Sequence, residues 1–194
     1  MDFKGEEYLS IGSYFLVIGT LISALGETVQ GSDLNDFNKK LIRDGNAVQA
    51  LGNSLQGFGR IKLTENTEEE SHFYGIIGSF IQAGGNTMNS AAVNLEIVNP
   101  SASATRINAL GSSVQSIGAA LEAEGAANRE GDYFNNLEVL GSSLISIATM
   151  LDSAGILIRD EMSLHKRLFL ATGGWLEFIG ASIGAYAINK RDAD

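Results

Sequence analysis

Glycine returns every seventh residue through most of this chain, in six phase-locked copies. In the stretch 110–125, LGSSVQSIGAALEAEG, it stands at Gly111, Gly118 and Gly125. The other copies place small residues at Gly12, Gly19 and Gly26; at Gly45, Gly52 and Gly59; at Gly78, Gly85 and Ala92; at Gly141, Ala148 and Gly155; and at Gly173, Gly180 and Ala187. Fifteen of these 18 positions are glycine, whereas 23 glycines scattered over 194 residues would put about two there. The first glycines of the first four copies are 33 residues apart, and Gly141 and Gly173 follow after 30 and 32. Such self-similarity marks one structural unit used six times.

The period selects the secondary structure. Three residues after the first glycine stand Phe15, Val48, Ile81, Val114, Leu144 and Leu176; ten after it stand Ile22, Leu55, Met88, Leu121, Leu151 and Ile183. Apolar residues at these offsets share a helical face, and the alternation by two that a strand requires is absent. Each copy is expected to be a helix of roughly 20 to 26 residues, about 30 to 39 Å long. The single proline, Pro100, leaves them uninterrupted.

Glycine inside a helix costs about 1 kcal/mol relative to alanine, so fifteen represent about 15 kcal/mol, as much as an ordinary domain's whole stability. Close approach offsets that cost. A side-chain-free line every seventh residue lets a neighbouring backbone come near, recovering dispersion and Cα–H···O contacts. A heptad spacing predicts a left-handed, near-parallel or antiparallel seam, where membrane helix pairs more often space small residues by four. All fifteen glycines are therefore assigned to helix–helix contact.

In chain order, the expected helices run about 7–29, 33–62 (Asp33 as N-cap), 68–97, 103–128, 132–159 and 160–189, with Thr67 and Glu70 suited to a capping box. The connections are short, which predicts antiparallel neighbours and one domain over 1–194. The expected fold is all-α, an up-and-down antiparallel bundle of six long helices. A closed bundle and a flat array of three hairpins both satisfy the connections. Helices one and six, apolar on most of their circumference, favour the closed form with those two in the interior. Residues 8–26 form an uncharged run of 19, just long enough to cross a bilayer. Charges through the middle of other copies favour a buried central helix instead.

Composition narrows the function classes. The formal charge is −10, from 13 Lys and Arg against 23 Asp and Glu, and the basic residues are scattered. Phosphate backbones need clustered positive charge, so nucleic acid is excluded as a partner, and an anionic lipid surface repels the chain. There is no cysteine, hence neither disulfide nor thiolate metal site. Residues 1–10, MDFKGEEYLS, do not read as a secretory signal, which suits a cytoplasmic protein.

No reactive constellation emerges. A di-iron bundle needs Glu-x-x-His twice. The two histidines supply it once, as Glu69–His72 at a presumed helix start, and Glu161 with His165 makes an i,i+4 pair. Ser112, Ser113, Ser142 and Ser143 sit beside heptad glycines, as small residues at tight contacts do. Gly84-Gly85 and Gly173-Gly174 lie inside helices and cannot be phosphate loops. Gln49, Gln82, Gln115 and Glu177 suit either a polar seam or the surface. No catalytic, cofactor-binding or metal-ligating residue is assigned.

The phrase carried by Ile11-Gly12-Ser13, Leu110-Gly111-Ser112 and Leu140-Gly141-Ser142 resembles a family of small repetitive proteins of unknown function from spore-forming bacteria. The resemblance spans nearly the whole chain and implies a bacterial, cytoplasmic protein without catalytic residues. The expected role is a non-enzymatic structural or protein-interaction bundle that associates with itself or another protein. The alternative is a soluble protein that inserts its apolar helices into a membrane.

Overall fold

The structure, a computed structural model, describes residues 4–29, 36–64, 70–129, 131–159 and 163–191. It is all-helical: α1 (Gly5–Val29), α2 (Asp36–Thr64), α3 (Glu70–Val98), α4 (Ala102–Ala127), α5 (Tyr133–Leu157) and α6 (Leu164–Arg191). Asp33 and Thr67 lie outside the described residues. Ser101 caps α4 by accepting from the Ala104 N–H at 3.2 Å, and Asp132 caps α5 by accepting from the Asn135 N–H at 2.5 Å. At the end of α3 the Asn99 N–H closes the last turn on the Leu95 carbonyl, 2.7 Å away, and Pro100 offers no further donor.

Each helix packs against its neighbours in sequence, and α6 returns to pack on α1. The six therefore form a closed antiparallel ring with three helix starts at each end. No helix occupies the middle. Helices α1 and α6, expected in the interior, are ordinary ring members, with Ile18 53% and Ile179 46% exposed on their outer faces.

Seams of two kinds alternate around the ring. Within the hairpins α1–α2, α3–α4 and α5–α6, glycines face each other in antiparallel register. A Cβ added to Gly12 would lie 2.7 Å from the Gly52 carbonyl oxygen, one on Gly19 2.8 Å from that of Gly45, and one on Gly26 3.0 Å from that of Asn38. Added to Gly78, Gly85 and Gly141, it would lie 2.6, 2.6 and 2.7 Å from the oxygens of Gly118, Gly111 and Gly180. Gly59 meets the Gly5 oxygen at 2.8 Å, Gly155 the Leu170 side chain at 3.0 Å, and Gly173 the Ala148 oxygen at 2.9 Å; Gly125 is buried in α4. A side chain at these places would hold the two backbones apart.

Side chains close the seams between hairpins. Ser116 and Ser146 each donate to the other's carbonyl, at 2.9 and 3.0 Å, between α4 and α5. Asn189 donates to Ser13 Oγ at 3.1 Å between α6 and α1. The rings of Phe58 and Phe80 meet edge to face at 5.5 Å between α2 and α3.

Polarity runs opposite to that of a water-soluble bundle. The apolar residues three and ten after each repeat glycine lie only half-buried in the outer grooves, and large apolar side chains such as Tyr14, Leu51, Phe73, Leu140 and Met150 cover the outside. The interior is polar. Gln49, Gln82 and Gln115 are among the largest fully buried side chains, with Asn53 and Asn86 beside them. Buried polar groups and exposed apolar belts are the informative departures from ordinary burial.

Candidate functional site

The inward-facing positions have a sequence signature. Four residues after each repeat glycine stand Leu16, Gln49, Gln82, Gln115, Ile145 and Glu177; eight after it stand Thr20, Asn53, Asn86, Ala119, Thr149 and Ala181. All are buried. Small residue at i and inward residue at i+4 follow from the helical pitch, because a 40° offset turns the face from the neighbouring helix toward the ring axis. The glutamines noted in the sequence belong to this inner line. Glu177 joins them, and the surface reading of the glutamines does not hold.

Along the axis the interior divides into three zones. At the end formed by the start of α2, α4 and α6, a chamber of about 290 Å³ runs inward from Pro100, Ser101 and Lys166 to Gln115 and Glu177. Its floor is a strut across the ring. Gln115 Nε2 donates to Gln49 Oε1 on α2 at 3.3 Å and to Glu177 Oε1 on α6. Gln49 Nε2 donates to Ser23 Oγ at 3.2 Å, and Asn89 Nδ2 donates to Ser112 Oγ at 3.1 Å. Below the strut, Leu16, Ala119, Ile145 and Ala181 pack as an apolar plug.

The opposite end is closed by ion pairs. Glu138 on α5 receives Arg129 Nη2 at 2.5 Å on one oxygen and Arg191 Nη2 at 2.6 Å on the other. Arg191 also donates to Asn135 Oδ1 at 2.7 Å. Arg60 lies 3.9 Å from Glu122, which accepts from Ser79 Oγ at 2.5 Å. Charge-assisted bonds of this kind fix the geometry of side chains from four helices. The ring is thus a chamber with one closed end rather than a continuous bore.

Carboxylates gather in the chamber. Glu27 on α1, Asp152 on α5 and Glu177 on α6 all line it. The glycine lines make room for them. A Cβ on Gly173 would strike the Asp152 carboxylate, one on Gly174 the Glu27 carboxylate, and one on Gly111 the Asn89 amide oxygen. Gly173 and Gly111 thereby serve both a seam and a chamber wall. Gly174, left out of the heptad assignment, serves the wall and approaches Ala24 of α1.

Among the described residues no group of three or more His, Asp and Glu side chains is arranged to hold a metal ion. The sequence reading noted Glu69–His72 and Glu161–His165; Glu69 and Glu161 lie outside the described residues. What the arrangement can do is hold a polar, positively charged guest among acids and amides, out of reach of the outer surface.

A family model described as a family of unknown function (DUF6944) matches residues 7–185. No curated protein and no solved structure matches the chain.

Proposed function

Since the chain belongs to that family of unknown function, we propose from the geometry that it is a non-enzymatic, membrane-embedded six-helix ring that keeps a polar chamber inside a bilayer. The observation that carries this reading is the inverted polarity. A bundle in water buries its apolar faces, whereas one in lipid turns polar side chains inward and apolar ones outward. Three helices, α1, α5 and α6, are long and apolar enough to span a membrane. Helices α2, α3 and α4 owe their lower hydropathy to inward amides, and their outer faces carry Leu51, Phe58, Ile77, Phe80, Leu110 and Ile117.

The charges agree with this placement. From Ala47 to Ile61 on α2 and from Ile107 to Ala120 on α4 no exposed residue is charged. Those stretches, the shortest around the ring, are roughly 20 Å long at 1.5 Å per residue. Arg43, Lys62, Arg106 and Arg167 stand just outside the belt, where long basic side chains extend to headgroups. Tyr8, Tyr74, Tyr133 and Tyr186 cluster near one end, an interfacial placement for four of the five tyrosines.

Fractionation tests it directly. A tagged chain expressed in bacteria is expected in the membrane pellet, to stay there through alkaline carbonate, and to be released by detergent. Recovery in the supernatant as a monodisperse species would instead favour the soluble interaction protein, with protein partners or further copies covering the same belt.

A further inference from the structure

We propose that the chamber is a binding site for a small organic ammonium ion. Three independent features converge on it. The first is the donor–acceptor balance. Two side chains in the chamber wall are more than nine-tenths buried and carry an oxygen without a hydrogen-bond partner: Asn89 Oδ1 and Asp152 Oδ1. Glu27 Oε2, also in the wall, is buried and unpartnered as well. All three are acceptors, and a guest that satisfies them must donate. A primary ammonium has three N–H donors and a positive charge, which also offsets the cost of burying carboxylates.

Size and wall chemistry then separate an organic ion from an inorganic one. At about 290 Å³ the chamber has room for several water-sized volumes of about 30 Å³. A bare metal ion would leave most of it unfilled, and the described residues offer no convergent metal-ligand set. Ile42, Val93, Ile156 and Leu170 form apolar wall beside the acids. An alkyl stem on those side chains with its nitrogen among Glu27, Asp152 and Glu177 uses both surfaces. Lys39 and Lys166, which also line the chamber, stand in the first turns of α2 and α6 at its outer rim, and Lys166 Nζ donates to the Ile158 carbonyl at 3.2 Å. They leave the deep acids without a lysine of their own.

The chain carries its own reporter. Trp175, the only tryptophan, donates its indole N–H to Thr28 Oγ1 at 2.9 Å, next in sequence to Glu27 and two residues before Glu177. The test is a titration of the purified full-length chain with butylammonium chloride, followed by tryptophan emission and by calorimetry. Saturable binding is expected at about millimolar concentration, the range open to a ligand of five heavy atoms. Butanol, its neutral counterpart, is expected to bind at least tenfold more weakly. Asp152→Asn and Glu177→Gln are each expected to weaken butylammonium at least tenfold, and Glu124→Gln on the outer surface to leave it unchanged.

Equal binding of butanol, displacement of butylammonium by equimolar potassium or calcium, or unchanged affinity in Asp152→Asn would overturn the proposal. If the variants fail to fold, the butanol and salt competitions on the wild-type chain still decide it. The titration works in detergent or in plain buffer, so its outcome is independent of where the ring resides.

Discussion

Gly85→Ala is expected to lower the melting temperature by about 10 °C, and Gly84→Ala, one residue earlier, to raise it by a few degrees. Both glycines are helical, and neither has a positive φ. In an open helix position alanine is better than glycine by about 1 kcal/mol. Gly84 is such a position, exposed, with nothing within 4 Å of an added Cβ. At Gly85 the same methyl would lie 2.6 Å from the Gly111 oxygen and 2.8 Å from the Gln115 nitrogen, both backbone atoms of α4. Backbone atoms cannot rotate away, so the helices must part, and contacts along the whole α3–α4 seam loosen together. Overpacking of this kind costs about 3 kcal/mol, and a domain of this size loses about 2 to 4 °C per kcal/mol. The measurement is thermal unfolding of the two variants beside wild type. Equal shifts of one sign would mean that the glycine lines do not hold the hairpins together.

The second large effect is expected at the closed end. Glu138→Ala removes the carboxylate that receives Arg129 and Arg191, leaving two guanidinium groups facing each other in a largely buried place. Breaking one side of a buried ion pair costs about 3 to 5 kcal/mol. Arg191 is 31% exposed, so water screens part of this, and about 2 to 3 kcal/mol is expected. The control is Asp44→Ala, which removes an exposed partner of Arg43 and is expected to leave unfolding unchanged. A cycle adding Arg129→Met to Glu138→Ala checks the cause. The double variant is expected to be more stable than Glu138→Ala alone, because it removes one stranded charge. If the double variant is the less stable of the two, like-charge stranding is not the origin of the loss.

The glycine positions and the apolar offsets made the six helices and their antiparallel order legible, because both are properties of a single helix and its nearest neighbour. Sidedness was not legible in the same way. A period separates one face from another without saying which face meets water, and the habit of soluble proteins sent α1 and α6 to the centre. Phe15, Val48, Ile81, Val114, Leu144 and Leu176 mark the outer groove, and the residue after each of them marks the interior. The signal was present in Gln49, Gln82 and Gln115, polar residues repeating in phase with glycine. A polar residue locked to a repeat has a fixed orientation, whereas a surface position has no need of one. The chamber acids were harder to find. Glu27, Asp152 and Glu177 lie on three helices far apart in sequence, and only ring closure brings them to one space.

That closure carries a consequence for biosynthesis. Each hairpin completes its glycine seam as soon as its second helix is made, so three compact units can form in succession as the ribosome proceeds. The strut across the ring cannot, because Gln115 needs Glu177, and the last seam needs Asn189 to reach Ser13. Until the final helix docks, amides and acids bound for the inside stand on an open edge. A chain truncated before residue 164 would retain that edge permanently, an exposed polar wall for quality-control proteases to detect.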